Sequence, residues 1–246
     1  IWANNPDVKK VLFSSLQKNP RYGNPVFWLR DYWKILADVK HAQRQYNFSH
    51  VYNVVHFYMP GKIYPHLPFS RYRRHKSEIV AKKLGVTLQQ PAYSLDLSQY
   101  AKQFARQFFV RHRLLGKQVV GFHYTASTQN KSLSSLYAQK VIHELLAKKR
   151  HALILSHLPE PSWLRHTSGI TWYQSRSLLK TAALLERCRH FIGVDSGIAH
   201  LAAAVKTHSL VLYMNTAWLD NSAALGKHVR HYDFSQKNFV SFRHEL

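Results

Sequence analysis

Residues 193–200, Gly-Val-Asp-Ser-Gly-Ile-Ala-His, set an acid, a hydroxyl, a glycine and an imidazole directly after an apolar run. Those residue types in that order suit anion binding. If a strand ends at Asp195 and a helix starts at Gly197, the free N–H groups and the positive dipole end of the helix face the turn. Ser196 is expected to cap the helix with its side chain. Gly197 allows a ligand to approach the backbone closely. His200 follows one helical turn later on the same side and can donate to a phosphate oxygen. Asp195 would repel an anion, so its expected work is hydrogen bonding to backbone N–H groups or ligand hydroxyls, not base catalysis. The same pattern also serves as a plain strand–cap–helix connection, which is common in α/β proteins.

The neighbouring elements supply such a junction. Residues 117–125, 151–157, 190–195 and 208–214 read as strands, and 132–149, 177–188 and 197–206 as helices. Strands alternating with helices of this length predict βαβ units around a parallel sheet with right-handed crossovers. Upstream, Tyr100, Phe104 and Phe108 recur every four residues and predict an amphipathic helix over 99–115 with these rings on its packing face. Before it, 34–46 and 77–85 have helical spacing and 50–58 has strand spacing. Residues 59–76 hold three prolines and many Lys and Arg and read as a charged loop.

Composition narrows the class. The 246 residues carry 35 Lys and Arg against 12 Asp and Glu, a net charge of +23 that attracts polyanions. The lone cysteine, Cys188, excludes an internal disulfide or a multi-cysteine zinc site and reads as a buried helix residue. No apolar run approaches the roughly 20 residues needed to span a bilayer. No nucleic-acid-binding motif is present, so nucleic acid is not an expected partner.

Residues 191–213, Phe-Ile-Gly-Val-Asp-Ser-Gly-Ile-Ala-His and onward through a small-residue helix to Val-Leu-Tyr, resemble the signature of glycosyltransferase family 9, the lipopolysaccharide heptosyltransferases. Asp195, Ser196, Gly197 and His200 match it position by position. Residues 119–146 resemble the family's strand, small-residue loop, lysine and helix, with Ser127 in the loop and Lys131 at the lysine. The resemblance is specific over residues 117–215.

It implies an α/β, GT-B-like fold of two Rossmann-like domains facing a cleft. Residues 116–246 would form the donor-binding domain and 1–115 part of the acceptor-side domain, truncated at its start. It also implies an inverting, metal-independent enzyme that moves a sugar, heptose from ADP-heptose, to lipopolysaccharide core or a related glycan, with no cofactor. Ser127, Lys131, Asp195, Ser196, Gly197 and His200 would then hold the nucleotide diphosphate of the donor. Departures from the pattern leave the donor's base and sugar open. Lys131-Ser132-Leu133 replaces the family's Lys-Trp-Pro, and Leu179 or Lys180 stands where ADP-heptose enzymes tend to carry a glutamate. The family's catalytic aspartate lies in an early Gly-Asp turn, and Asp7, Asp31, Asp38, Glu78 and Asp96 lack that context. The base is therefore expected upstream of Ile1.

Arg71, Arg73, Arg74 and Lys76 form a basic stretch suited to a phosphorylated glycolipid acceptor or an anionic membrane surface. Peripheral attachment to the cytoplasmic face of the bacterial inner membrane is the expected location. The competing expectation is a non-catalytic polyanion-binding protein on a degenerate GT-B scaffold.

Overall fold

The computed structural model describes residues 77–78, 81, 87, 92–164, 167–214, 223–234 and 242. The readings on 34–46, 50–58 and 59–76, including Arg71, Arg73, Arg74 and Lys76, lie outside the described residues, as does most of the 77–85 reading.

The elements run in the order α1 (Gln99–Arg111), β1 (Val119–His123), α2 (Ser135–Ala147), β2 (His151–Ser156), β3 (Ile170–Gln174), α3 (Leu178–Glu186), β4 (His190–Val194), α4 (Gly197–Ala204), β5 (His208–Tyr213) and β6 (Val229–Asp233). All six strands are parallel and lie in the order β3-β2-β1-β4-β5-β6. Alternation along each strand divides the core between the two faces. Val119, Leu153, Leu155, Phe191 and Val211 pack with α1, α3 and α4. Val120, Phe122, Ile154, Ile192 and Leu212 pack with α2. Helices on both faces explain why the strands read as nearly continuous apolar runs.

Two glycines on neighbouring strands shape the centre of the sheet. The Phe191 ring lies over both Gly121 and Gly193. A Cβ on Gly193 would stand 2.4 Å from that ring and 2.9 Å from the His123 carbonyl oxygen. Neither contact is tolerable, so the close packing of β1 on β4 depends on the bare backbone there.

The structure adds two strands to those read from the sequence, β3 and β6. Both are edge strands, where one flank meets no partner strand among the described residues, and their residues, Ile-Thr-Trp-Tyr-Gln and Val-Arg-His-Tyr-Asp, are partly exposed and partly polar. That composition hides the apolar alternation of a buried strand.

The helix reading over 99–115 is corrected in its end and its face. α1 stops at Arg111, and its buried line is Ala101, Ala105 and Phe109 rather than Tyr100, Phe104 and Phe108. The alanines let the helix approach α3 closely. Phe104 and Phe108 flank that seam, with ring centroids 5.9 and 5.5 Å from Tyr173. Tyr100 is 68% exposed, with the Lys180 ammonium 5.2 Å from its ring centre. Cys188 is buried as expected, just past the end of α3, where its thiol donates to the Leu184 carbonyl at 3.3 Å. Burial pushes the thiol up to about 12.

Candidate functional site

In an open parallel sheet, ligands bind beyond the carboxyl ends of the strands, where the winding reverses direction. Here the reversal falls between β1 and β4, because the chain winds outward from β1 to β3 and then returns to start β4 on the other side. The loop after β1 carries Thr125, Ser127 and Lys131, and the turn after β4 carries Asp195, Ser196 and Gly197. Two segments 60 or more residues apart thus meet at one edge.

Lys131 ends a short 3-10 turn, Gln129–Lys131, and its ammonium donates to Asp195 Oδ2 at 2.8 Å. The Asp195 side chain is 9% exposed and that of Lys131 30% exposed. Where bonds to backbone N–H groups or ligand hydroxyls were expected of Asp195, the structure gives it the Lys131 ammonium as a partner. The pairing has an electrostatic consequence. A lone buried carboxylate would repel an anion, whereas the Lys131–Asp195 pair carries no net charge and leaves the helix dipole as the local field.

Ser196 also departs from expectation. Three other helices begin with a serine whose side chain caps them: Ser98 to Ala101 N at 3.3 Å, Ser134 to Tyr137 N at 3.4 Å and Ser177 to Lys180 N at 3.4 Å. Ser196 occupies the same position before α4 but makes no side-chain cap bond. Its backbone is extended (φ −153°, ψ 168°), as it is at the three serines that do cap. Ser196 Oγ is buried without a hydrogen-bond partner, and so is Thr125 Oγ1 on the loop after β1. A buried hydroxyl left unbonded costs about 1–3 kcal/mol, and two of them stand at this edge.

The first turn of α4 completes the edge. The amides of Gly197 and Ile198 have no acceptor within the helix, because the first four N–H groups of any helix lack one. A Cβ built on Gly197 meets nothing within 4 Å, so open space lies above the backbone where a ligand would approach. His200 is half-buried one turn on, with the edge of its ring against Tyr93 at 5.4 Å between centroids. Tyr93 is itself tied down by its hydroxyl donating to Ala223 O at 3.3 Å. Ser127 is exposed in the β1 loop.

Under the junction, burial and the Asp195 charge raise the Tyr213 phenol above its usual range, so it stays neutral. Burial lowers His231, against the opposing pull of Asp195. At the end of β1, burial lowers His123 to about 4, and its neutral Nδ1–H donates to the Leu155 carbonyl. The floor of the site is therefore uncharged apart from the Lys131–Asp195 pair.

The structure brings together Lys131, Asp195, Ser196, Gly197 and His200. The sequence reading missed Thr125 and Tyr93. β1 and β4 pair with His123 opposite Gly193, and continuing that register sets Thr125 opposite Asp195, a placement that the sheet pairing alone reveals. Among the described residues, no group of three or more His, Cys, Asp or Glu could hold a metal ion. Among them, too, no helix is long and apolar enough to cross a membrane.

An edge that gathers unbonded hydroxyls and the first amides of a helix at the winding reversal of a parallel sheet defines a Rossmann-like α/β unit. Comparison with known proteins makes this more specific. The pattern of glycosyltransferase family 9 (heptosyltransferase) matches residues 71–231. That is more than half of the chain, and the chain belongs to this family. Comparison with curated proteins gives no match.

Among solved structures, the family 9 glycosyl transferase from Veillonella parvula DSM 2008 aligns with a TM-score of 0.55 at 16% identity, over 71% of this chain and 53% of that one. The E. coli heptosyltransferase WaaC with ADP aligns with a TM-score of 0.50 at 17% identity, over 70% of this chain and 57% of that one. At these identities the likeness shows the fold, which is α/β and GT-B-like. The chain spans about half the length of the solved structures it matches.

Proposed function

We propose that this chain forms the donor-binding side of an inverting, metal-independent glycosyltransferase that moves a sugar, heptose from ADP-heptose, to lipopolysaccharide core or a related glycan. Residues 116–246 hold the nucleotide sugar, and residues 1–115 belong to the acceptor side. The observation that carries the reading is Ser196, a buried hydroxyl that caps nothing, beside open space over Gly197 at the sheet's winding reversal. The family of the chain and the ADP named with the E. coli heptosyltransferase agree with it.

In this proposal the diphosphate sits on the amides of Gly197 and Ile198. The hydroxyls of Ser196, Thr125 and Ser127 donate to its oxygens, as do Lys131 and His200. Transfer by inversion proceeds as an acceptor hydroxyl attacks the anomeric carbon while the bond from that carbon to the diphosphate oxygen breaks. A base takes the hydroxyl proton, and the nucleoside diphosphate departs with the bonding electrons. The α4 dipole, Lys131 and His200 stabilise the charge that grows on this leaving group. The base itself is assigned to no described residue. Arg71, Arg73, Arg74 and Lys76 are proposed to contact acceptor phosphates or the cytoplasmic face of an anionic inner membrane, each adding about 1 kcal/mol to surface binding at modest salt.

Isothermal titration of the full chain with ADP, UDP and GDP tests the donor site. At least one is expected to bind more than tenfold tighter than inorganic phosphate. If none does, the site claim fails and the polyanion-binding reading, favoured by the +23 charge, takes its place. For membrane attachment, co-sedimentation with anionic vesicles is expected to fall steeply with salt, and salt-independent binding or none counts against it.

A further inference from the structure

The opposite end of the sheet carries a second, unrelated concentration of charge. His190 and His208 are the first residues of β4 and β5 and are paired across the two strands. Their ring centroids lie 6.2 Å apart, and His208 lies 6.5 Å from His228, which precedes β6. Together with Arg150, Lys227 and Arg230 they line a cleft of about 320 Å³. That volume lies at the small end of the roughly 300–1,000 Å³ range of ligand pockets. Among the described residues, no acidic side chain lines it. His190 and Asp195 lie five residues apart along β4 and its turn, roughly 16 Å at strand rise, so this cleft and the donor edge are separate places.

The cleft is held open by local structure. Gly226 adopts φ +146°, and a Cβ there would stand 2.6 Å from the His228 ring. The glycine therefore leaves the ring its seat, where Nε2–H donates to the Ala203 carbonyl at 2.9 Å. Three imidazoles in a row among guanidinium and ammonium groups repel one another when protonated, and an anion of more than one charge relieves that repulsion. Guanidinium groups grip phosphate oxygens in pairs.

We propose that this amino-edge cleft is a binding site for a small phosphate-bearing anion of two or more charges, a phosphate monoester or a diphosphate. Burial, and then the charges of Arg150, Arg189 and His208, hold His190 below its ordinary value. His190 and His228 face His208, while Lys227 and Arg230 complete the cationic wall. A bound phosphate opposes this field and favours the protonated rings.

The probe is inorganic pyrophosphate, read by NMR of the histidine ring C–H signals of the full chain. Saturable shifts of the His190, His208 and His228 signals are expected. The double variant Lys227→Glu, Arg230→Glu changes two exposed side chains and is expected to weaken this response at least tenfold. His208→Gln gives an independent second variant, and an unchanged His123 signal reports an intact sheet in both. Ring signals that do not respond to millimolar pyrophosphate, or variants that respond as wild type does, overturn the proposal. Vesicles of phosphatidic acid in phosphatidylcholine separate the sources of the phosphate. Vesicle binding that the variants lose and pyrophosphate displaces assigns a lipid headgroup. Pyrophosphate binding without variant-sensitive vesicle binding assigns a soluble ligand.

Discussion

Replacing Ser196 by alanine separates a ligand-binding role from a structural one by sign. Were Ser196 an ordinary helix cap, like Ser98, Ser134 and Ser177, its loss would cost about 0.5–2 kcal/mol of stability. The structure shows no cap bond from it and a buried oxygen without a partner. Removing that oxygen relieves an unmet desolvation cost, so Ser196→Ala is expected to hold or raise stability, by up to about 1–2 kcal/mol. For a chain of this size each kcal/mol moves the melting temperature by roughly 2–4 °C. The same change removes a donor from the diphosphate. A hydrogen bond to a charged group contributes about 1.5–3 kcal/mol, which corresponds to roughly 10- to 150-fold in affinity. Differential scanning fluorimetry of the free chain and isothermal titration with ADP read the two quantities. Thr125→Val, which removes the other unbonded hydroxyl while keeping the shape, is expected to behave alike. A variant that melts lower and binds ADP as wild type does would refute the reasoning and return the junction to a simple connection.

Gly197→Val fills the open space over the α4 amides and His200→Ala removes a donor, so each is expected to weaken ADP by about 1.5–3 kcal/mol. Both should leave the far-ultraviolet circular dichroism unchanged. Gly193→Ala forces a methyl into the Phe191 ring and the His123 carbonyl and is expected to destabilise by about 1–3 kcal/mol in urea unfolding. Stability should also fall with acid below neutrality. Burial lowers His123 and His151 to about 4 in the folded chain, below the ordinary 6.5. The unfolded chain therefore takes up more protons between pH 6.5 and 4, and stability is lost as pH falls through that window. Urea midpoints at pH 7.5 and 4.5 check this, and His123→Gln, His151→Gln is expected to flatten the difference.

The sheet interior was legible because strands buried on both faces leave uninterrupted apolar runs, as in Phe191–Val194 and Leu210–Tyr213. The edge strands β3 and β6 were not, since partial exposure lets Gln174, Arg230 and Asp233 stand where a buried strand would be apolar. At the site, the sequence pointed to Asp195, Ser196, Gly197, His200 and Lys131 by type and spacing. It could not show that Lys131 and Asp195 pair, because 64 residues separate them and only the sheet order joins their loops. Nor could it show that Ser196 leaves the helix uncapped. Serine before a helix reads as a cap, and only the folded structure shows that no cap bond forms. On α1, spacing of four fits the alanine line and the aromatic line equally well, and the close approach of α3 selects the smaller residues.

The donor site is tested most directly by a structure of this chain with ADP bound. The diphosphate is expected at the carboxyl edge of β1 and β4, with oxygens within hydrogen-bond distance of the Gly197 and Ile198 amides, Ser196 Oγ and Thr125 Oγ1. Lys131 should reach toward both the phosphate and Asp195. ADP seated in the amino-edge cleft beside His208, or anywhere that leaves Ser196 Oγ and Thr125 Oγ1 still unbonded, would contradict the account.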